Sequence, residues 1–346
     1  MRQGPGWSLR PDRPTSPADI GEAWHRIAPY IRRTPAIPSP SLSRAAGSEV
    51  RLKLETLQPT GSFKVRGAAA KILDLDDGLR RRGVVTASTG NHGKAVAHVA
   101  KTLAIPVTVC VSNQVPEGKL AALESMGCRV QVAGASQAEA LEVAAALASD
   151  EESTLVHPFD DRMVIAGQGT IGLELAGEAP ETRNVIVPLS GGGLISGIGL
   201  AVKSTSPSTR VIGVSMSRSA AMKASIDAGH PVSLQEQPSL ADSLQGDIGV
   251  DNRYTFRMVQ TLVDEIALVE EEEIWKAMLW AYRTHGLVLE GGGAVGIAAL
   301  LAHRIEPAGP TTVICSGRNL EASHLDALGR EMESPPSGPR ADRQLS

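Results

Sequence analysis

Lys64 is the residue of this chain best placed to act as a nucleophile, and the reason lies in its neighbours. Residues 52–68 read Leu-Lys-Leu-Glu-Thr-Leu-Gln-Pro-Thr-Gly-Ser-Phe-Lys-Val-Arg-Gly-Ala. An alternating apolar run passes through a Pro-Thr-Gly turn into an Ala-rich, helix-like segment, and Lys64 stands where turn becomes helix. The positive end of a helix disfavours an ammonium there and pushes its pKa down. A lysine that gives up its proton easily can attack a carbonyl and form a Schiff base. Taken alone, the stretch also fits an ordinary lysine opening a surface helix.

Three further stretches could do chemistry. Ser190-Gly191-Gly192-Gly193-Leu194-Ile195-Ser196-Gly197 directly follows an apolar β-rich run. Successive glycines let the backbone wrap an anion, and the following helix adds its N-terminal dipole, so the loop suits a phosphate. No Lys-Ser/Thr pair follows the glycines, which excludes a nucleotide P-loop. Ser88-Thr89-Gly90-Asn91-His92-Gly93 is a polar strand-to-helix turn whose spare N–H groups could hold a carboxylate. A plain capping turn fits the same residues, and a histidine such as His92 is more often structural than catalytic. Finally, Gly291-Gly292-Gly293-Ala294-Val295-Gly296 matches G-x-G-x-x-G, but a helix precedes it and no acidic residue marks the next strand. That context argues against a dinucleotide site.

The elements that must position these stretches alternate. After the Lys64 helix, β-rich runs at 84–87, 107–111, 129–132, 154–156, 184–188, 211–214, 265–269 and 311–314 are separated by helical patterns. Helices are expected near 91–104, 119–126, 137–149, from the end of the Gly-rich loop to 202, and near 220–228, 254–263, 271–284 and 294–303. Short strands alternating with helices predict an α/β fold with a mainly parallel sheet. A helix is also expected over 18–31, followed by an extended connection forced by Pro35, Pro38 and Pro40. Residues 230–253 lack periodicity and read as a long loop of active-site type. Residues 1–17 and 331–346, rich in Pro, Ser and Arg, are expected to be disordered.

Composition narrows the function classes. With 346 residues the chain can bury a large core or two domains. A net charge of −4, 3% aromatics and scattered basic residues give no reason to expect nucleic acid. No apolar run is long enough to span a membrane, and no secretory signal is read at the N-terminus, so a cytoplasmic protein is expected. Cys110, Cys128 and Cys315 lack metal or redox spacing and read as buried thiols.

The Lys64 stretch resembles the Schiff-base lysine motif of the pyridoxal-phosphate enzymes of the threonine dehydratase and serine racemase group. The Lys64 stretch, the 88–93 turn, the 190–197 loop and Cys315-Ser316-Gly317-Arg318-Asn319 after the last β-rich run fall in that family's order, within a resemblance that covers residues from about 18 to 330. The resemblance implies fold type II, the tryptophan synthase beta-like architecture of two α/β domains. Residues 83–158 would form a small domain set into a large one made of 18–82 and 159–330. It also implies pyridoxal 5'-phosphate, with Phe63 beside its ring, Lys64 on its aldehyde carbon, and Ser190, Gly191, Gly192, Gly193 and Leu194 on its phosphate. Asn91 would meet the phenolic oxygen, Glu290 would lie near the ring, and Ser316 would meet the pyridine nitrogen. Ser88, Thr89, Asn91 and His92 would hold the substrate, with Ser88 and Thr89 also catalytic.

Two departures bear on the reaction. Serine racemases carry a serine as second acid/base where this chain has Thr89, whose β-branching restricts its rotamers and puts racemisation in doubt. Their cation site begins with a Glu after a Gly-Val pair, whereas Gly213-Val214 leads into Ser215-Met216, so no metal is expected. A hydroxyl at Ser316 leaves the ring a weaker electron sink than a carboxylate would, which favours β-elimination. Residues 213–218 and 240–253 are similar to the hydroxyectoine-utilisation dehydratases, with Asp242 or Asp247 as candidate partners for a second substrate amine. The expected function is therefore a dehydratase acting on a small β-hydroxy α-amino acid, as a homodimer. Alternatives are a general threonine/serine dehydratase, a serine racemase-like enzyme, a β-replacement synthase, or an inactive ligand-binding homologue.

Overall fold

Runs of Val and Ile, four to seven residues long in most of the strands, carry the architecture, because β-branched side chains pack well on a pleated surface. The computed structural model describes residues 13–333 except 114 and 116. Among the described residues the strands are β1 (Ala36–Pro38), β2 (Val50–Leu54), β3 (Val84–Ala87), β4 (Val107–Val111), β5 (Arg129–Val132), β6 (Thr154–Leu155), β7 (Asn184–Pro188), β8 (Arg210–Met216), β9 (Glu265–Val269) and β10 (Thr311–Cys315). A six-stranded sheet has the order β1-β2-β10-β7-β8-β9, and a four-stranded sheet the order β5-β4-β3-β6. All pairings are parallel except β1 with β2. Every residue of β3, β4, β7 and β10 is buried, as expected of strands covered on both faces.

Helix Gly291–Leu301 is buried over almost its whole length and packs on the six-stranded sheet, in one cluster with Leu52, Ile186, Ile212 and Val313. Its Gly296 admits the sheet closely, since a Cβ there would lie 2.7 Å from Val313. Helix Lys64–Leu73 packs on helix Arg162–Glu178, where Gly67 and Gly167 let the two backbones touch.

Several expectations need correction. Helix Arg162–Glu178 carries no readable apolar stripe, because it is buried nearly all round and buries Gln168, Thr170 and Glu174 among its apolar residues. Pro40 does not extend the chain; it occupies the first turn of helix Pro40–Ala46, where a missing N–H costs nothing. Residues 13–17 are ordered: Arg13 pairs with Asp19 at 2.7 Å, and Ser16 caps helix Pro17–Ile27 in a capping box. At the other end, 331–333 belong to helix Ala322–Glu333. Residues 1–12 and 334–346 lie outside the described residues. The helix expected from Ala294 begins at Gly291. The three cysteines are free and buried.

Candidate active site

Lys64 is the first residue of its helix, partly buried, with its Nζ donating to the Pro158 carbonyl at 2.7 Å and lying 5.4 Å from the Phe63 ring centre. Its pKa falls to about 8, mainly because burial penalises the ammonium, while Glu290 pulls it back up. Burial thus does most of what the helix end was expected to do. Phe63 anchors this turn to the far end of the chain, its N–H donating to the Ser316 carbonyl at 3.0 Å.

Glu290 gathers the second part of the site. Its carboxylate accepts from Asn91 Nδ2 at 2.6 Å, Ser243 Oγ at 3.2 Å and the Asn319 N–H at 3.0 Å. Asn319 also donates to Asn91 Oδ1 at 2.5 Å and to the Thr60 carbonyl at 2.9 Å. Burial, and then the nearby Asp242 charge, raise Glu290 to about 7 against those donors. The glycines behind Glu290 serve close packing: a Cβ on Gly291 would strike the Leu240 carbonyl at 2.1 Å, and one on Gly293 the Gly317 carbonyl at 2.5 Å. No strand precedes them, so the G-x-G-x-x-G match is a helix start.

The 88–93 turn sits at the end of β3. Gly90 donates to Ser88 Oγ at 3.2 Å, and Gly93 has no room for a Cβ, which would meet the Ser88 carbonyl at 1.9 Å. Ser88 and Thr89 are partly buried. His92 is buried; its Nε2 lies 2.9 Å from the Val156 carbonyl, which can only accept, so Nε2 carries the proton. Nδ1 is buried without a partner among the described residues. Burial first, and then Lys64, depress this histidine to about 3, so it stays neutral.

The glycine loop lies between β7 and helix Gly193–Thr205, with Gly192 at φ 87° as the cap. A Cβ on Gly191 would fall 2.4 Å from the Phe159 ring, and one on Gly193 would fall 2.8 Å from the Phe159 carbonyl. The N–H groups from Gly191 to Leu194 enter no turn or loop hydrogen bond among the described residues. This is a cradle with unspent donors.

A family model described as pyridoxal-phosphate dependent enzyme matches residues 27–317. The chain belongs to this family. It is 40% identical over 314 residues to an L-threonine ammonia-lyase of Thermotoga maritima, covering 90% of this chain and 77% of that one. It is 41% identical over 288 residues to a catabolic L-threonine dehydratase of Staphylococcus aureus, covering 83% of each. Among solved structures, maize serine racemase superposes with a TM-score of 0.86 at 34% identity, covering 93% of this chain and 99% of that one. The serine racemase of Dictyostelium discoideum gives 0.81 at 33%, covering 89% and 99%.

The residues present fit the family's cofactor. A phosphate suits the glycine cradle, and a carbonyl suits the depressed Lys64 amine. Ser316 follows β10, is buried, and donates only a long 3.4 Å bond to the Gly292 carbonyl, so its hydroxyl stays available to another partner. Ser190 is partly buried at the loop mouth, and Leu194 is in the core behind it. Asp242 is exposed in the loop that brings Ser243 to Glu290. Asp247 instead ties its own loop together through Ser233 and, at 2.9 Å, the Leu234 N–H.

Sequence reasoning missed the crossover segment 156–161. Val156 O holds His92, Pro158 O holds Lys64, and Phe159 lies under the glycine loop. His157 Nδ1 accepts the Asp160 N–H at 2.8 Å; the Asp160 carboxylate accepts the N–H groups of Arg253, Tyr254 and Thr255. Asp161 caps helix Arg162–Glu178 and pairs with Lys71 at 2.6 Å. The signal available was the Asp160-Asp161 pair ahead of a helix, a normal N-cap signature.

Proposed function

We propose that the chain is a lyase that removes water, and then ammonia, from a small β-hydroxy α-amino acid, with threonine and serine as the leading substrates. The observation that carries the reading is the partly buried Lys64 amine, depressed to about 8 and donating to Pro158 O beside the glycine cradle. The similarity to L-threonine ammonia-lyase and threonine dehydratase supports it. In this reading residues 83–158 form a small domain on the larger one, and the enzyme is a cytoplasmic homodimer, which sizing chromatography would check.

When bound, pyridoxal phosphate supplies a carbonyl for the substrate amine and an electron-withdrawing ring that acidifies the α-proton. The protein's part is positioning and proton transfer. Free N–H groups of the glycine loop and the start of helix Gly193–Thr205 hold the phosphate. The turn at Ser88, Thr89, Asn91 and His92, at another helix start, receives the substrate carboxylate. Lys64, near neutral pKa, takes the α-proton; the Cβ–O bond breaks and the oxygen leaves as water with a proton from the site. Thr89 and Ser88 hydroxyls are the nearby candidates for that proton. Once released, the enamino acid tautomerises and hydrolyses to an oxo acid and ammonia. Ser316 would offer the ring nitrogen a neutral hydroxyl in place of a carboxylate, and a ring held so would favour elimination over other outcomes.

A second reading names 3-hydroxy-2,4-diaminobutyrate, which hydroxyectoine yields on ring opening and loss of the resulting N-acetyl group as acetate, as substrate. The observation favouring it is the acidic pair Asp242 and Glu290, close enough to raise Glu290, which would suit an extra ammonium. Intact hydroxyectoine has its α-nitrogen locked in a cyclic amidine and lacks the free amine the chemistry needs. Ammonia and oxo-acid release over a panel of serine, threonine, the opened diamino acid and hydroxyectoine tests both readings. No release from any β-hydroxy amino acid, with cofactor bound, would favour a silent ligand-binding homologue.

A further inference from the structure

Behind Lys64 lies a cluster of buried charges that the proposed reaction does not use. Arg66, Lys53, Glu55 and Glu174 are each 0% exposed. Arg66 Nε and Nη2 grip both oxygens of Glu55 at 2.8 Å, and its Nη1 reaches Glu174 Oε1 at 2.7 Å and Thr170 Oγ1 at 3.1 Å. The other Glu174 oxygen takes Lys53 at 2.7 Å, and Lys53 also reaches Glu178 at 2.9 Å. Taking an ion out of water costs several kcal/mol, and apolar replacements of such clusters are often no less stable. The cluster's contribution is therefore sought in geometry.

The geometry bears on Lys64. Arg66 is two residues further along the same first helical turn, and its N–H donates to Phe63 O at 3.0 Å. A guanidinium gripped as a planar fork fixes orientation as well as distance, which a point charge does not. Along the helix, a Cβ on Gly67 would meet Gln168 at 2.4 Å, and one on Gly167 would meet the Arg66 carbonyl at 2.4 Å, so the helix pair is in close backbone contact. The far end is tied separately: its C-cap residue Asp74 pairs with Arg26 at 2.8 Å.

We propose that Arg66 is a positioning residue for Lys64, its fork on Glu55 and Glu174 fixing the first helical turn so that the Lys64 amine is presented at Pro158. The proposal rests on the reading of Lys64 as the cofactor-holding lysine. Arg66→Lys keeps the charge and loses the fork. Arg26→Met breaks the tie at the other end of the same helix, away from the 156–161 segment, and serves as the comparison for general destabilisation.

The experiment mixes the apoprotein of each variant with pyridoxal phosphate and follows imine absorbance, alongside melting temperature; borohydride reduction and peptide mapping identify the lysine. Arg66→Lys is expected to remain folded and to slow imine formation by roughly ten- to a hundred-fold. Arg26→Met is expected to lower the melting temperature with imine formation close to wild type. If Arg66→Lys does not fold, Glu174→Gln replaces it, since Lys53 then keeps Glu178, and a several-fold slowing is expected. A folded fork variant that forms the imine at the wild-type rate overturns the proposal, as does equal slowing by Arg26→Met. Labelling of another lysine in the wild type overturns the reading of Lys64 and this proposal with it.

Discussion

Asn91 donates to Glu290 at 2.6 Å across 199 positions of sequence, joining a helix beside the four-stranded sheet to the cap of a helix beneath the six-stranded one. Glu290 is satisfied there by neutral donors and has no cation bonded to it among the described residues. Those donors offset only part of its burial cost, which sets the sign of its pH dependence.

The folded carboxyl titrates near 7, above its ordinary 4.5, so between those values the folded state binds more protons than the unfolded one. Stability from this group is therefore lost as pH rises from about 4.5 to 7. In Glu290→Gln apoprotein the unfolding free energy should lack this component, so its difference from wild type should change across that window. A difference independent of pH between 4 and 8 would contradict the assignment.

His92 works in the opposite direction. Its folded pKa of about 3 lies below the ordinary 6.5, so the unfolded state binds the extra proton between them, and stability falls as pH is lowered through that range. His92→Gln keeps an amide donor for Val156 O and cannot titrate. Urea titrations at pH 4 to 7 should show a shallower acid slope for the variant, and an identical slope would mean that His92 is not buried neutral.

Gly191→Ala tests the cradle. The new Cβ would fall 2.4 Å from the Phe159 ring, and overpacking of this kind costs roughly 1–3 kcal/mol. Because the strain falls on the anion loop, cofactor affinity should drop by about ten- to a hundred-fold. Spectroscopic titration of apoprotein with pyridoxal phosphate measures it, and unchanged affinity would remove the loop from the phosphate site.

How much of this is readable from residue order follows from distance along the chain. Lys64, the glycine loop and the 88–93 turn are local patterns, each a strand or turn meeting a helix start, so the sequence alone exposes them. Pro158 and Phe159 act through a carbonyl and a ring face, which neighbouring sequence does not mark. Arg66 reads as a solvated charge on an Ala-rich helix; only Glu55, eleven positions back, and Glu174, 108 positions on, make it a buried fork. Asp242 and Asp247 are both candidates in one aperiodic stretch; the fold ties Asp247 to Ser233 and Leu234 and brings the Asp242 charge close enough to raise Glu290.

Ser316→Asp should alter the product ratio. A carboxylate in place of the hydroxyl would hold a proton on the ring nitrogen and strengthen the electron sink, shifting flux from elimination toward reprotonation. The measurement is oxo acid formed against loss of substrate chirality, with melting followed because the position is buried. An unchanged ratio in a folded variant would mean that Ser316 does not face the ring nitrogen.

The rate of imine formation by the apoprotein should report Lys64 directly. Only the unprotonated amine attacks an aldehyde, so the rate follows the fraction of Lys64 that has lost its proton. With burial holding its pKa at about 8, the rate should climb with pH up to that value and flatten above it, whereas an ordinary lysine would keep climbing toward 10.5. Glu290→Gln removes the charge that opposes burial, so its plateau should begin at lower pH. Lys64→Ala should show no imine absorbance and no turnover. Stopped-flow absorbance from pH 6 to 10 separates these cases; a wild-type rate still rising at pH 10 would show that Lys64 is not a depressed nucleophile.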